Sequence, residues 1–343
     1  MAEAGSAASE RLADLGEWQL IERLARFAPA GQFNDDAAVL QAGTTPLVIN
    51  TDVLVEGVHF SESTTNAWQV GWGAAAANLS DLAAMGCPQA LGITVGLVAP
   101  ANTPWAWVEG VYQGLQSCLE RHGGVLLGGD CSSGNQRLLA VTALGHLAAT
   151  DGGAPTAIRR SDGCPGDWLV SSGPHGLSRL GLALLQGTCA EAAALPQALQ
   201  QAAIQAHQQP RPRFDAVLAL QRSQPPGATW RVAGSDSSDG LAPAAAAIAV
   251  ASGCRAVLKH HGLPLVPAME ALAQAERWCL AGGEDFELVL ALEPAWAAAL
   301  IEQLPGSRQI GVLTEPGSGE SLGWDVPHER FPKEAMGFCH FRP

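Results

Sequence analysis

Lysine is almost missing from this sequence. Lys259 and Lys333 are the only two, and 19 Lys+Arg stand against 33 Asp+Glu, for a net charge of −14. Neither lysine follows a Gly-x-x-x-x-Gly run, so the chain has no Walker-type phosphate loop. A chain this acidic has no general affinity for nucleic acid or an anionic membrane, both of which need a basic face. Cys-x-x-Cys pairs are missing among the 8 cysteines, and no histidines have zinc-finger spacing, so free thiols in a reducing cytoplasm are expected. The first twenty residues hold no apolar core of signal-peptide type. The longest charge-free stretch, Leu82–Val108, is broken by Pro88, Pro100 and Pro104, so no membrane span is expected. Any handling of phosphate must therefore rest on metals, backbone amides and arginines.

With 343 residues, 47% hydrophobic and 15% charged, the chain can bury two cores. Residues 1–15 read as a flexible tail, followed by a domain over 16–150 and a second over 151–343, with the Gly/Pro-rich Asp151–Pro155 as the boundary. Apolar periodicity predicts a helix over Gly16–Phe27. It predicts strands at Leu47–Thr51, Ala90–Val98, Gly124–Leu127 and Leu138–Leu147, and an Ala-rich helix over Ala67–Met85 that stops at Gly86. Thr103-Pro104 opens a helix running to about Arg121. Further on, a strand is expected at Asp167–Ser172 and helices at Leu177–Gln186, Ala190–Gln208 and Leu241–Ala251. A helix at 294–304 lies between strands at Glu287–Ala291 and Gln309–Leu313. The fold class is α/β (α+β).

The acidic residues gather in segments read as turns: Asn34-Asp35-Asp36-Ala37, Asn50-Thr51-Asp52, Asn78-Leu79-Ser80-Asp81, Gly128-Gly129-Asp130 and Asp236-Ser237-Ser238-Asp239-Gly240. Asp with Asn, Ser and Thr is the ligand set of a hard cation such as Mg²⁺. Carboxylates brought within about 5 Å repel by about 3 kcal/mol at an effective dielectric near 20, so a converging set requires cations. An aspartate at a turn or helix start also serves as a cap, and that reading stands beside the metal one for each motif. Arg159-Arg160 is either a phosphate clamp or a solvated pair. His59, a lone histidine after a strand, is structural by default.

Taken in order, these segments resemble the thiamine-monophosphate kinases, within the superfamily of aminoimidazole ribonucleotide synthetase and selenophosphate synthetase. The resemblance rests on Asp35–Val39, Thr51–Phe60, Asn78–Gly86, Gly128–Asp130, Arg160 with Pro165-Gly166-Asp167, Pro210–Arg213, Ser238–Leu241 and Gly282–Leu288, and covers about residues 16–341. It implies two α/β domains of the aminoimidazole ribonucleotide synthetase-like type. The N-terminal domain would bind ATP and Mg²⁺ and form a homodimer through its sheet; the C-terminal domain would close over the active site. The reaction implied is ATP plus thiamine monophosphate to thiamine diphosphate plus ADP, by direct in-line transfer. By motif position, Asp35, Thr51, Asp52, Asp81, Asp130, Asp236 and Asp239 would hold several Mg²⁺ ions. Gly129, Asp130, Arg160 and Ser238 would contact ATP, and His59, Glu284 and Phe338 the thiamine phosphate, with Asp52, Asp130 and Arg160 at the chemistry. Donor and acceptor are both anions, so the task is to neutralise their repulsion. Metals would bring the positive charge that a lysine-poor chain lacks.

Three other readings use the same residues. A superfamily synthetase with another substrate is disfavoured because the first cysteine, Cys87, sits in a helix-ending turn and the chain ends Phe341-Arg342-Pro343. A metal-dependent phosphatase would release phosphate without ATP. A non-catalytic nucleotide-binding scaffold would be expected to have lost part of the aspartate set.

Overall fold

The computed structural model describes residues 10–11, 14, 23–27, 45–147, 157–317, 320–326 and 331–332. It divides into two compact units, one within Met1–Leu82 and Gln89–His146, the other within Ala83–Pro88 and Leu147–Pro343. Of the expected tail, Glu10 is held in place: its carbonyl accepts the Trp105 N–H at 2.7 Å and its carboxylate pairs with Arg23.

The first unit is a four-stranded sheet backed by two helices. Strands β1 (Leu47–Val55), β2 (Ala90–Ala99), β3 (Val125–Ser133) and β4 (Leu138–His146) lie in the order β1-β4-β2-β3. β4 is antiparallel to both β1 and β2, while β2 and β3 run parallel. Helices α1 (Ala67–Ala84) and α2 (Trp105–His122) cross at glycine. A Cβ on Gly71 would lie 1.9 Å from the Val111 carbonyl oxygen, and one on Gly114 would lie 1.9 Å from that of Trp68. Such backbone-to-backbone contact admits no side chain. α1 ends as its sequence dictates: Gly86 takes φ +90° and donates its N–H to the Ala83 carbonyl.

β1 alternates along its length. Leu47, Ile49 and Val53 are 46%, 66% and 45% exposed, whereas Val48, Asn50, Asp52 and Leu54 are half-buried. One face of this strand, apolar except at Thr51, is thus open to solvent.

The second unit holds a six-stranded mixed sheet in the order β10-β7-β9-β5-β8-β6. Its strands are β5 (Trp168–Ser171), β6 (Ala233–Asp236), β7 (Arg255–Leu258), β8 (Leu288–Leu292), β9 (Arg308–Thr314) and β10 (Leu322–Trp324). Its helices are α3 (Leu177–Leu185), α4 (Gln197–Gln208), α5 (Phe214–Arg222), α6 (Leu241–Ala251), α7 (Ala275–Ala281) and α8 (Pro294–Gln303). β6 and β8 are buried at every position. Strands buried on both sides read as continuous apolar runs, as Leu288–Leu292 does. Leu169, Ala245, Ile248, Val289 and Leu313 share one core cluster, and Leu180, Ala203, Met269 and Trp278 a second.

Several expectations need correction. Asn50-Thr51-Asp52 lies inside β1, Asn78–Asp81 inside α1 and Gly128-Gly129-Asp130 inside β3; none is a turn. β3 extends through its small residues because β2 supplies a parallel ladder as far as Ser133, and that ladder outweighs the low strand preference of Gly and Asp. Among the described segments only Ser237–Gly240 is a turn as expected, and the helix after it spans Leu241–Ala251 as read. The helix expected over Ala190–Gln208 is broken at Pro196 and resumes at Gln197. β6, β7, β10 and α7 were not anticipated. Asp35 and Phe338, with most of the expected helix over Gly16–Phe27, lie outside the described residues.

Candidate active site

In the first unit the candidate side chains of Asp52 and Asp81 gather where β1 meets α1. Asn78 and Asp81 are three residues apart and share one face of the helix. Asn50 donates through Nδ2 to Asp81 Oδ2 at 2.9 Å and to Asn78 Oδ1 at 3.2 Å. Asn78 Oδ1 also accepts the Asp52 N–H at 3.2 Å, and its own Nδ2 donates to the Ala74 carbonyl at 2.9 Å. A fully buried asparagine thus ties strand to helix, with Asp52 and Asp81 either side of it. Turning both amide hydrogens to these acceptors leaves Asn50 Oδ1 buried and without a partner. Withdrawal from water pushes the Asp52 carboxyl up, and the charge of His59 opposes that rise.

His59 follows the tight turn at Gly57, where φ is +80°. Its Nδ1 accepts the Val55 N–H at 3.0 Å, so in the neutral ring Nε2 carries the proton. Thr51 points away from this group, its hydroxyl 2.8 Å from that of Thr142. Asp130 is further off. The register runs Asp52–Val141–Val95–Gly129, which places Gly129 three strands from Asp52, about 14 Å at the usual strand spacing. Among the described residues no three Asp, Glu, His or Cys side chains converge as a metal site. β1 and β3, which carry Asp52 and Asp130, are the opposite edges of this sheet.

In the second unit three segments meet. β6 ends at the buried Asp236, and the turn that follows exposes Ser238 and Asp239 ahead of α6. Arg160 donates through Nε to Ser235 Oγ at 3.2 Å, and its carbonyl accepts the Ser252 hydroxyl at 2.8 Å. The Gly282–Glu287 segment packs on the same turn: the Glu284 N–H donates to the Ser238 carbonyl at 2.7 Å and the Ser237 N–H to the Glu287 carbonyl at 2.9 Å. A Cβ on Gly283 would meet that Ser238 oxygen at 2.8 Å. Arg160, Ser238, Asp236, Asp239 and Glu284 thus belong to one region of this unit. The Ser237 hydroxyl is buried there without a partner.

Sequence reasoning assigned no role to the residues that hold these groups. Arg213 is buried, donates to Glu287 and to the Ser172 carbonyl, and reaches Asp215 through Nε at 2.9 Å. Burial pushes the Glu287 carboxyl up, against the pull of Arg213. Arg213 and Glu287 were visible only as parts of segments; their pairing spans 74 positions and has no local signal. Asn50, Asn78 and His207 were likewise given no role.

A half-open sheet backed by two helices, followed by a second α/β unit, is the AIR synthase-like class of fold. The family "AIR synthase related protein, N-terminal domain" matches residues 34–147. Over 309 residues the chain is 50% identical to the thiamine-monophosphate kinase of Synechococcus elongatus, covering 89% of this chain and 90% of that protein. Its structure is similar to the thiamine-monophosphate kinase of Stenotrophomonas maltophilia, with a TM-score of 0.74 and 31% identity over 91% of this chain and 97% of that one. It is also similar to AaThiL complexed with AMPPCP and TMP, with a TM-score of 0.69 and 28% identity over 92% and 95% of the two chains. The chain belongs to the thiamine-monophosphate kinase family.

Proposed function

We propose that this protein transfers the γ-phosphoryl group of ATP to thiamine monophosphate, giving thiamine diphosphate and ADP, the final step of thiamine diphosphate synthesis. The observation that carries this reading is 50% identity to a kinase of that name across nine tenths of both chains, which takes in both units. The complex of a relative with AMPPCP and TMP supports the same substrate pair.

Several Mg²⁺ ions are assigned to Asp35, Thr51, Asp52, Asp81, Asp130, Asp236 and Asp239. The donor chemistry fits a hard cation: the groups are oxygens, and the unpartnered Asn50 Oδ1 adds one more beside Asp52 and Asp81. Bound Mg²⁺ would offset the negative charge of two facing phosphates. Gly129, Asp130, Arg160 and Ser238 are assigned to ATP. The Arg160 guanidinium can fork a phosphate, and Ser238 stands just ahead of α6, whose N-terminus favours an anion. His59, an imidazole whose Nδ1 already accepts the Val55 N–H, is assigned to a phosphate oxygen of the acceptor. Glu284 suits the cationic thiazolium, and Phe338 is assigned to its ring face. An acceptor phosphate oxygen, already deprotonated, forms the new bond to the γ-phosphorus. The bond to the β,γ-bridging oxygen breaks, and its electron pair leaves with ADP, so no general base is needed.

A homodimer formed through the first sheet is part of this reading. The support is the open apolar face of β1, where Ile49 is 66% exposed. Cytoplasmic residence fits the absence of a disulfide among the described cysteines, Cys87, Cys118, Cys131, Cys164, Cys189, Cys254 and Cys279. No helix among the described residues is long and apolar enough to cross a membrane. The deciding test is an ADP-release assay coupled to chromatography. Thiamine diphosphate formed only with ATP, thiamine monophosphate and Mg²⁺ together establishes the reaction. ADP without thiamine diphosphate points to another acceptor, and phosphate released without ATP to a phosphatase.

A further inference from the structure

Glu284 and Phe286 have φ of 58° and 51°, the only positive values at non-glycine positions among the described residues. Each such residue costs about 1–2 kcal/mol. With Gly283 at φ +70°, they make a left-handed twist that the surrounding contacts must hold. Asp285 sits between the two strained residues. Its carboxylate accepts the Gly176 N–H at 2.7 Å and the Ser178 N–H at 3.0 Å, both at the start of α3. Gly176 is itself left-handed, at φ +87°, and a Cβ there would press on the Cys279 backbone nitrogen at 3.0 Å.

The side chain of Glu284 is tied to the same helix start. His207, on α4 and 8% exposed, has Nδ1 3.4 Å from Glu284 Oε2. The same nitrogen is 3.4 Å from the Ser178 hydroxyl. Ser178 therefore contacts Asp285 through its backbone and His207 through its side chain. One turn of α3 holds both ends of Glu284: its backbone by way of Asp285, its carboxylate by way of His207. Glu284 remains 44% exposed and free to face a ligand.

We propose that Asp285 and His207 are positioning residues that aim the Glu284 carboxylate at the cationic ring of the acceptor substrate. The proposal rests on the reading of Glu284 as a thiamine monophosphate contact, and the test separates the two. Michaelis constants for thiamine monophosphate and for ATP are measured in the full-length enzyme for Glu284→Gln, Asp285→Asn, His207→Phe and the double variants with Glu284→Gln. Glu284→Gln is expected to raise KM for thiamine monophosphate by about tenfold, with KM for ATP within about twofold of the parent. Asp285→Asn should give the same split at about fivefold, and His207→Phe at about threefold. Each double variant should be no worse than Glu284→Gln alone, since the positioning residues act through that carboxylate.

Fold-changes that multiply in the doubles overturn the proposal, as does an equal rise in both Michaelis constants. If Glu284→Gln raises KM and neither Asp285→Asn nor His207→Phe does, the positioning role falls and the Glu284 contact stands. If Glu284→Gln leaves KM unchanged, the contact itself falls, and the positioning role with it. Should Asp285→Asn fail to fold, the His207→Phe cycle decides alone, with rescue by His207→Gln, which keeps a donor, as its supporting result.

Discussion

The two sheets of this protein solve the same packing problem differently. The second is closed: α6 packs on β6, β7 and β8, α8 packs on β5, β8 and β9, and β6 and β8 have no exposed position. The first keeps β1's face of Leu47, Ile49 and Val53 in water. A closed sheet needs nothing more to be stable, whereas an open apolar one invites a second surface. The chemical groups follow the same division. Asp52 and Asp81 flank a strand-to-helix seam with an unused oxygen, while the carboxylates of Asp285 and Glu287 are already committed to N–H groups and to Arg213. The first unit gathers oxygen groups at a strand-to-helix seam; the second uses its carboxylates to fix a loop.

That contrast can be broken most forcefully at Asp52. Asp52→Ala should lower kcat by about a hundred- to a thousandfold while circular dichroism and the melting temperature stay near the parent's, because the group serves transition-state charge rather than the core. Turnover with normal Mg²⁺ dependence in that variant would remove Asp52 from the metal set. Next comes the open face. Ile49→Lys should weaken self-association by about a hundredfold, read as a shift to monomer in sedimentation velocity. A parent that sediments as a monomer at high concentration would show that this face has no second copy as its partner.

The helices covering the first sheet allow a matched pair. Gly114→Ala forces a methyl onto the Trp68 carbonyl and should destabilise by about 1–3 kcal/mol in urea titrations. Gly73→Ala, in the same helix pair with nothing within 4 Å of its Cβ, should be neutral or stabilise by up to about 1 kcal/mol. Equal effects would mean that the crossing is looser than the backbone distances imply.

The last comparison lies in the second unit and concerns pH. Burial pushes Asp285 up from 3.8 to about 7, with the charges of Glu287 and Glu284 adding to the rise while the Gly176 and Ser178 N–H groups oppose it. Its contribution to stability is complete below about 3.8 and is lost as pH rises to about 7. Burial pulls His175, which is fully enclosed, down from 6.5 to about 4; the charge of Arg213 acts the same way, against a hydrogen bond to Gly173. Its contribution is complete above 6.5 and is lost as pH falls to about 4. The two slopes oppose each other. Asp285→Asn should leave stability rising with pH between about 4 and 6.5, and His175→Asn should leave it falling between about 4 and 7, each by at most about 1.4 kcal/mol per pH unit. Urea midpoints in a pH series check the signs; parallel curves for both variants would refute the opposition.

What the sequence determined by itself is local. The stop at Gly86, the helix launched after Gly240 and the apolar run Leu288–Leu292 all depend on a few neighbouring residues, and each element stands where its own residues put it. The motif order carried the family in the same way. Tertiary structure decided the rest. Gly128-Gly129-Asp130 looks like a turn until β2 supplies its ladder, and Asn50 looks like a turn residue until Asn78 and Asp81 arrive from a helix 28 and 31 positions later. Glu284 is a legible motif residue, but its left-handed backbone and its tie to His207 depend on the first turn of a helix more than a hundred positions earlier. Strand register, the pairing of buried charges and the aim of a side chain are set by partners distant in the chain, and no spacing within a segment encodes them.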